Sequence, residues 1–186
     1  MLVTEETFYK IIQDTWTSTL GFQVDRPASA EFSTLGAFTV CVKITGAWDG
    51  ELRLHCSPSL ARSIVAAIFQ VEADEAEKEE IHDALSELIH IIGGNLKALL
   101  PHPVILSLPS LPDPTNWGLT TPQWQMVCRL TLLSEGQPFA VTLLGNVSAA
   151  AKAEAPADWE CRVPTENPQV TLASHGETHA DESPSS

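Results

Sequence analysis

The chain has 186 residues, 44% of them hydrophobic, which is enough to bury the core of one domain without disulfide staples. Its formal charge of −14 disfavours nucleic acid and anionic membranes as partners, because both reward clustered Lys and Arg. No apolar run approaches bilayer length, and MLVTEETFYK carries acids where a signal segment carries cations, so the expectation is a soluble, cytoplasmic protein.

The first helix is expected from Thr4 to about Leu20, with Thr4 as cap, Glu5 and Glu6 in the positively polarised first turn, and Phe8, Ile11, Ile12, Trp16 and Leu20 on one apolar face. Gly36 to Ile44 alternates: Phe38, Val40, Val42 and Ile44 share one side, and Thr39, Cys41 and Lys43 the other. That is a half-buried strand. Gly46 to Gly50 supplies turn chemistry, and Leu52, Leu54 and Cys56 then alternate with Glu51, Arg53 and His55 to complete a hairpin. Ser57 and Pro58 introduce a helix over Ser59 to Phe69, with Leu60, Ile64, Val65 and Ile68 as its stripe.

The acidic run Glu72 to Glu80 reads as a solvated helix start. It leads into Glu79 to Pro101, where Ile81, Ala84, Leu85, Leu88, Ile92 and Leu99 form an apolar stripe. Val104, Ile105, Leu106 and Leu108 make a short strand stopped by Pro109, and LPDPTNWGLTTP is a proline-rich loop. A second hairpin pairs Trp124 to Leu133 with Phe139 to Leu144, placing Met126, Cys128, Leu130 and Leu132 on one face. Strand runs joined by hairpins, with helices gathered between them, argue for an α+β fold, a layer of helices on a largely antiparallel sheet.

From about Ser148 the composition turns to Ala, Pro, Ser, Thr and acids without periodicity. The expectation is a domain over residues 1–147 and a disordered tail over 148–186, with Trp159 its one large aromatic. The tail holds seven acids against Lys152 and Arg162, leaving about −9 on the domain. Cys41, Cys56, Cys128 and Cys161 are widely spaced and contain no CxxC pair, so buried thiols are expected rather than a zinc site or a disulfide frame.

The helix opposite its apolar stripe carries Asp83, Glu87, His90, Gly94 and Lys97, which fall within a wedge of about 80° at 100° per residue. Glu87 and His90 have the one-turn spacing of half a carboxylate-bridged di-metal site, but neither other helix supplies a second Glu-x-x-His or the further glutamates such a site needs. The strip could equally be the wet face of an amphipathic helix. Gly93 and Gly94 count against that, since glycines interrupting a helix cost roughly 1 kcal/mol each and usually have a packing or close-approach reason.

DALSELIHIIGGNLKALLPHPVILSLPS resembles the signature of the CheC/CheX/FliY family of chemotaxis phosphatases, and its CheX branch in particular. That signature is an acidic or Ser residue, three residues, Glu, two residues, Asn, a Gly-containing turn and Lys, then a strand ending in Ser-x-Pro. Asp83, Glu87, Gly94, Asn95, Lys97, Ser107 and Pro109 fit it. ITGAWDGELRLHCSPSLARSIVAAIF resembles the family's Gly-hairpin-helix segment and LLGN its last strand, so the resemblance covers Thr4 to Asn146.

The resemblance implies an α/β sandwich that docks on a phosphorylated CheY-like receiver and speeds hydrolysis of its aspartyl phosphate. Glu87 would reach a receiver lysine, with Asp83, Gly94 and Lys97 completing the contact. The protein would need no cofactor of its own, the Mg²⁺ belonging to the receiver. A homodimer is also implied. His90 stands where the family has Asn, in the position that orients the attacking water. Three functions therefore stay open: a phosphatase using His90, a receiver-binding or self-associating module that has lost the reaction, and a structural homo-oligomer.

Overall fold

Capping chemistry sets the first helix, α1, at Glu5–Leu20. Thr4 Oγ1 accepts from the Thr7 amide, Thr7 Oγ1 accepts from the Thr4 amide, and Gly21 closes the helix in the left-handed region at φ 72°. Phe8, Ile12 and Trp16 are buried as expected, and the Trp16 ring stacks on Phe139 with centroids 4.4 Å apart. The computed structural model describes residues 3–27, 32–33, 36–111 and 124–146. Most of the proline-rich loop, Cys161, Trp159 and the rest of the expected tail lie outside the described residues.

The strands are β1 (Phe38–Gly46), β2 (Gly50–Cys56), β3 (Val104–Leu106), β4 (Trp124–Ser134) and β5 (Gln137–Asn146). They form one sheet in the order β3-β1-β2-β5-β4, and every pairing is antiparallel. β1 extends past Ile44 because Thr45 and Gly46 pair with Ile105 and Val104. β3 is shorter than expected. Ser107 Oγ accepts from the Lys43 amide and donates to the Leu108 carbonyl, which ends the regular ladder and leaves Leu108 81% exposed.

Helices α2 (Pro58–Phe69) and α3 (Lys78–Lys97) complete the layer, with a 3₁₀ turn at Ala73–Glu75 between them. Ser57 caps α2 by accepting from the Leu60 amide, and Pro58 occupies the first turn where its missing amide costs nothing. Leu60, Ile64 and Val65 are buried; Ile68 is half-buried. All three helices pack on the face that carries Val40, Val42, Ile44, Leu52, Leu54, Phe139, Val141 and Leu143, so the core lies between one helical layer and one sheet. Burying each such side chain contributes about 1.5–3 kcal/mol.

One expectation for β4 is corrected. Cys128, Leu130 and Leu132 are buried on the core side, but Met126 is 37% exposed. Register slips between Met126, opposite Leu144, and Cys128, opposite Leu143, and the extra residue of this bulge turns Met126 to the other face.

The face away from the helices is polar and yet mostly covered. His55 is 7% exposed and its Nδ1 lies 2.9 Å from Thr39 Oγ1; Glu51 pairs with Arg53. Cys41, Cys56 and Cys128 are buried, as their strand positions suggested. At the sheet's end Gly50 faces Gly145 across β2 and β5, and the Trp48 indole lies on this pair. A methyl on Gly145 would overlap that ring.

Two stability predictions follow from these contacts. Burial first, then the Arg129 and Arg53 guanidinium groups, hold the His55 imidazole down to about 4. The unfolded imidazole takes up its proton near 6.5, so this contribution is complete above pH 6.5. It is lost as pH falls toward 4, at up to about 1.4 kcal/mol per pH unit. Urea unfolding between pH 7 and 5 should show the loss, and His55→Gln should flatten it. Gly145→Ala should cost about 1–3 kcal/mol by overpacking against Trp48, read as a fall in the urea midpoint.

Candidate functional site

α3 begins with a reciprocal cap in which the Glu77 side chain accepts from the Glu80 amide and Glu80 Oε2 accepts from the Glu77 amide at 2.9 Å. Glu79 and Glu80 then sit at the positive end of the helix dipole and Lys97 at the negative end. Ile81, Ala84, Leu85, Leu88 and Ile92 are buried as the periodicity required, joined by Ile89, Gly93 and Leu96, while Leu99 is half-buried beyond the helix end. This face lies across β1 and β2, and α1 and α2 pack against α3 as well.

The structure brings Asp83, Glu87, His90, Gly94 and Lys97 onto one side of α3, turned away from the core. Asp83, Glu87, His90 and Gly94 are exposed and Lys97 is half-buried. Asp83 Oδ1 lies 3.8 Å from His82 Nδ1. Asn95 is exposed too, but one step of 100° past Gly94 puts it on a different side of the helix. Among the described residues no cluster of His, Cys, Asp and Glu has the geometry of a metal site.

The two glycines differ. The helix runs through both to Lys97, as the expected span required. A Cβ on Gly93 would stand 3.3 Å from Leu106 Cδ1 and 3.8 Å from Leu52 Cδ2, so its bareness lets α3 sit directly on the sheet beside β3. A Cβ on Gly94 would meet nothing within 4 Å. Gly93 is thus a packing residue, and Gly94 leaves an open spot in the polar strip.

Ser107 and Pro109 follow β3, whose exit Ser107 and Ser110 hold against β1: the Ser107 amide donates to the Lys43 carbonyl at 2.9 Å, and Ser110 and Cys41 exchange two backbone bonds. Ser86, unremarked in the sequence, has a buried Oγ with no hydrogen-bond partner, a loss of about 1–3 kcal/mol. Its position four residues before His90 is the one signal that could have drawn attention to it. Chemically the strip offers two carboxylates, an imidazole, an ammonium group and a bare patch of backbone on a core-anchored helix, a surface suited to contacting another molecule rather than enclosing one.

Residues 38–131 match the family model described as Chemotaxis phosphatase CheX, a span that contains α3 entire. Among solved structures, the chain is similar to the chemotaxis protein CheX from Vibrio vulnificus, with 12% identity and TM-score 0.61 over 75% of this chain and 93% of that one. It is also similar to a chain of the CheX-CheY-BeF3-Mg+2 complex from Borrelia burgdorferi, with 16% identity and TM-score 0.60 over 78% and 99%. FliY from Thermotoga maritima shares 18% identity and TM-score 0.51 over 82% and 96%. No curated protein matches the sequence. No helix among the described residues is long and apolar enough to cross a membrane.

The strip generates a stability test. Gly94→Ala should stabilise α3 by up to about 1 kcal/mol, because a helix-favouring methyl enters open space. Gly93→Ala should gain nothing, since Leu106 must give way. Thermal unfolding of the two variants measures the difference.

Proposed function

The chain belongs to the family of the chemotaxis phosphatase CheX, and from that premise we propose that it docks α3 on a phosphorylated CheY-like receiver and accelerates hydrolysis of the receiver's aspartyl phosphate. The observation that supports this reading best is the exposed pair Glu87 and His90, three residues apart on the solvent side of a helix whose other side is anchored in the core. Glu87 grips a cationic side chain of the partner, and Asp83, Gly94 and Lys97 border the contact. The Borrelia burgdorferi CheX structure, solved with CheY, lends the choice of partner support.

In the reaction the water oxygen bonds to phosphorus and the bond from phosphorus to the aspartyl oxygen breaks, its electron pair staying on the carboxylate. The water's protons leave on the inorganic phosphate. His90 accepts a hydrogen bond from the attacking water and aligns it. Charge on the phosphoryl group is met by Mg²⁺ held in the receiver, so this chain supplies positioning and electrostatics without a covalent step. Protonated imidazole has donors only and cannot align the water in this way.

The His90 side chain also favours a second reading. Imidazole is bulkier than the amide that the family motif carries, and a ring that does not enter the receiver's cleft leaves a module that binds without accelerating hydrolysis. Phosphate release from a phosphorylated receiver of the same organism separates the two. The phosphatase reading requires acceleration that Glu87→Ala reduces on the order of 100-fold. It further requires that His90→Asn keep or raise activity. Saturable binding of the phosphorylated receiver with unchanged hydrolysis would establish the module instead.

A further inference from the structure

Two polar groups on α3 have no hydrogen-bond partner among the described residues and lie one helical turn apart. Ser86 Oγ is buried and unbonded. His90 is exposed, and no hydrogen bond joins its side chain to another described residue. At i and i+4 the two are surface neighbours with Cβ atoms about 6 Å apart. A long helical side chain leans toward the helix N-terminus, which carries the imidazole back over the turn that holds Ser86.

A helical serine commonly gives its hydroxyl proton to the carbonyl four residues earlier, but Ser86 makes no such bond to His82. The residue as a whole is only half-buried. Pairing with the strip requires a different χ1 rotamer at Ser86, one that turns the hydroxyl from its buried position toward the exposed side of the helix.

We propose that Ser86 is a positioning residue for His90: its Oγ accepts a hydrogen bond from His90 Nδ1–H and so holds the imidazole in the tautomer whose Nε2 lone pair faces the partner. The inference rests on the water-aligning role given to His90 above. An amide has a fixed acceptor and a fixed donor on a short stem, whereas a neutral imidazole exchanges its proton between two nitrogens. A bond at Nδ1 settles which nitrogen accepts, and with it the plane of the ring. Glu87, three residues before His90 on the same helix, carries a carboxylate that competes for the same proton.

Long-range proton–nitrogen NMR on the full chain, labelled with ¹⁵N at histidine and held above neutral pH, reads the tautomer directly. The expected result is a mainly Nδ1–H imidazole at His90 in the wild type, reverting toward Nε2–H in Ser86→Ala and restored in Ser86→Thr. Glu87→Ala should leave it in place. Phosphate release with a phosphorylated receiver should show a several-fold lower kcat for Ser86→Ala, unchanged KM and recovery in Ser86→Thr. A wild-type His90 already in the Nε2–H form, or a tautomer that responds to Glu87→Ala and not to Ser86→Ala, overturns the pairing. A Ser86-dependent tautomer in a protein that accelerates no receiver's hydrolysis supports the pairing and counts against the phosphatase reading alone.

Discussion

The contact between the bare backbone of Gly93 and the Leu106 side chain governs how the rest of the molecule is used. A Cβ on Gly93 would stand 3.3 Å from Leu106 Cδ1, so the bare position lets α3 lie close against the sheet beside β3. Once Ile81, Leu85, Leu88, Ile89, Ile92 and Leu96 are committed to the core, the residues on the opposite arc have no freedom to turn inward. Asp83, Glu87 and His90 are therefore held at the surface by packing on the other side of the same helix. Their exposure is a consequence of core energetics, and the rigidity of the strip comes from the same source.

Much of this was legible in the sequence, because burial leaves a period. The stripe of α3 and the alternation in β1, β2 and β5 each recur at the spacing their backbone imposes. Thr4, Ser57 and Pro58 marked helix starts through hydrogen-bonding chemistry that is local to a few residues. The errors fell where long-range contacts override local pattern. Met126 alternates correctly with Cys128 in the sequence, and only the pairing with β5 reveals the bulge that turns it outward. Helical spacing put Gly94 on the polar strip, but only the fold shows that Gly93 beside it meets Leu106 and Leu52.

The sheet's second face carries a related lesson. Alternation in β2 assigns Glu51, Arg53 and His55 to a wet side, yet Glu51 and His55 are 6% and 7% exposed. Their polar groups are met by pairing, Glu51 with Arg53 and His55 with Thr39, as burial of such groups requires. Thr142 is the exception there, with a buried Oγ1 that has no partner. A period of two reports which residues share a face; it does not report whether that face meets water.

For the α3 strip the same distinction runs the other way. Periodicity located the polar arc, and family resemblance rather than physics gave its members roles. What the structure adds is a ranking of their constraints: Gly93 is tied to the sheet and Gly94 is open, while Glu87 and His90 project from backbone the core holds still. A short amide at the water-aligning position inherits its orientation from the backbone through few rotatable bonds. An imidazole adds a choice of tautomer that the backbone does not control and that a hydrogen bond at one ring nitrogen settles. On the proposed reading, the unbonded hydroxyl of Ser86, one turn before His90, supplies that control.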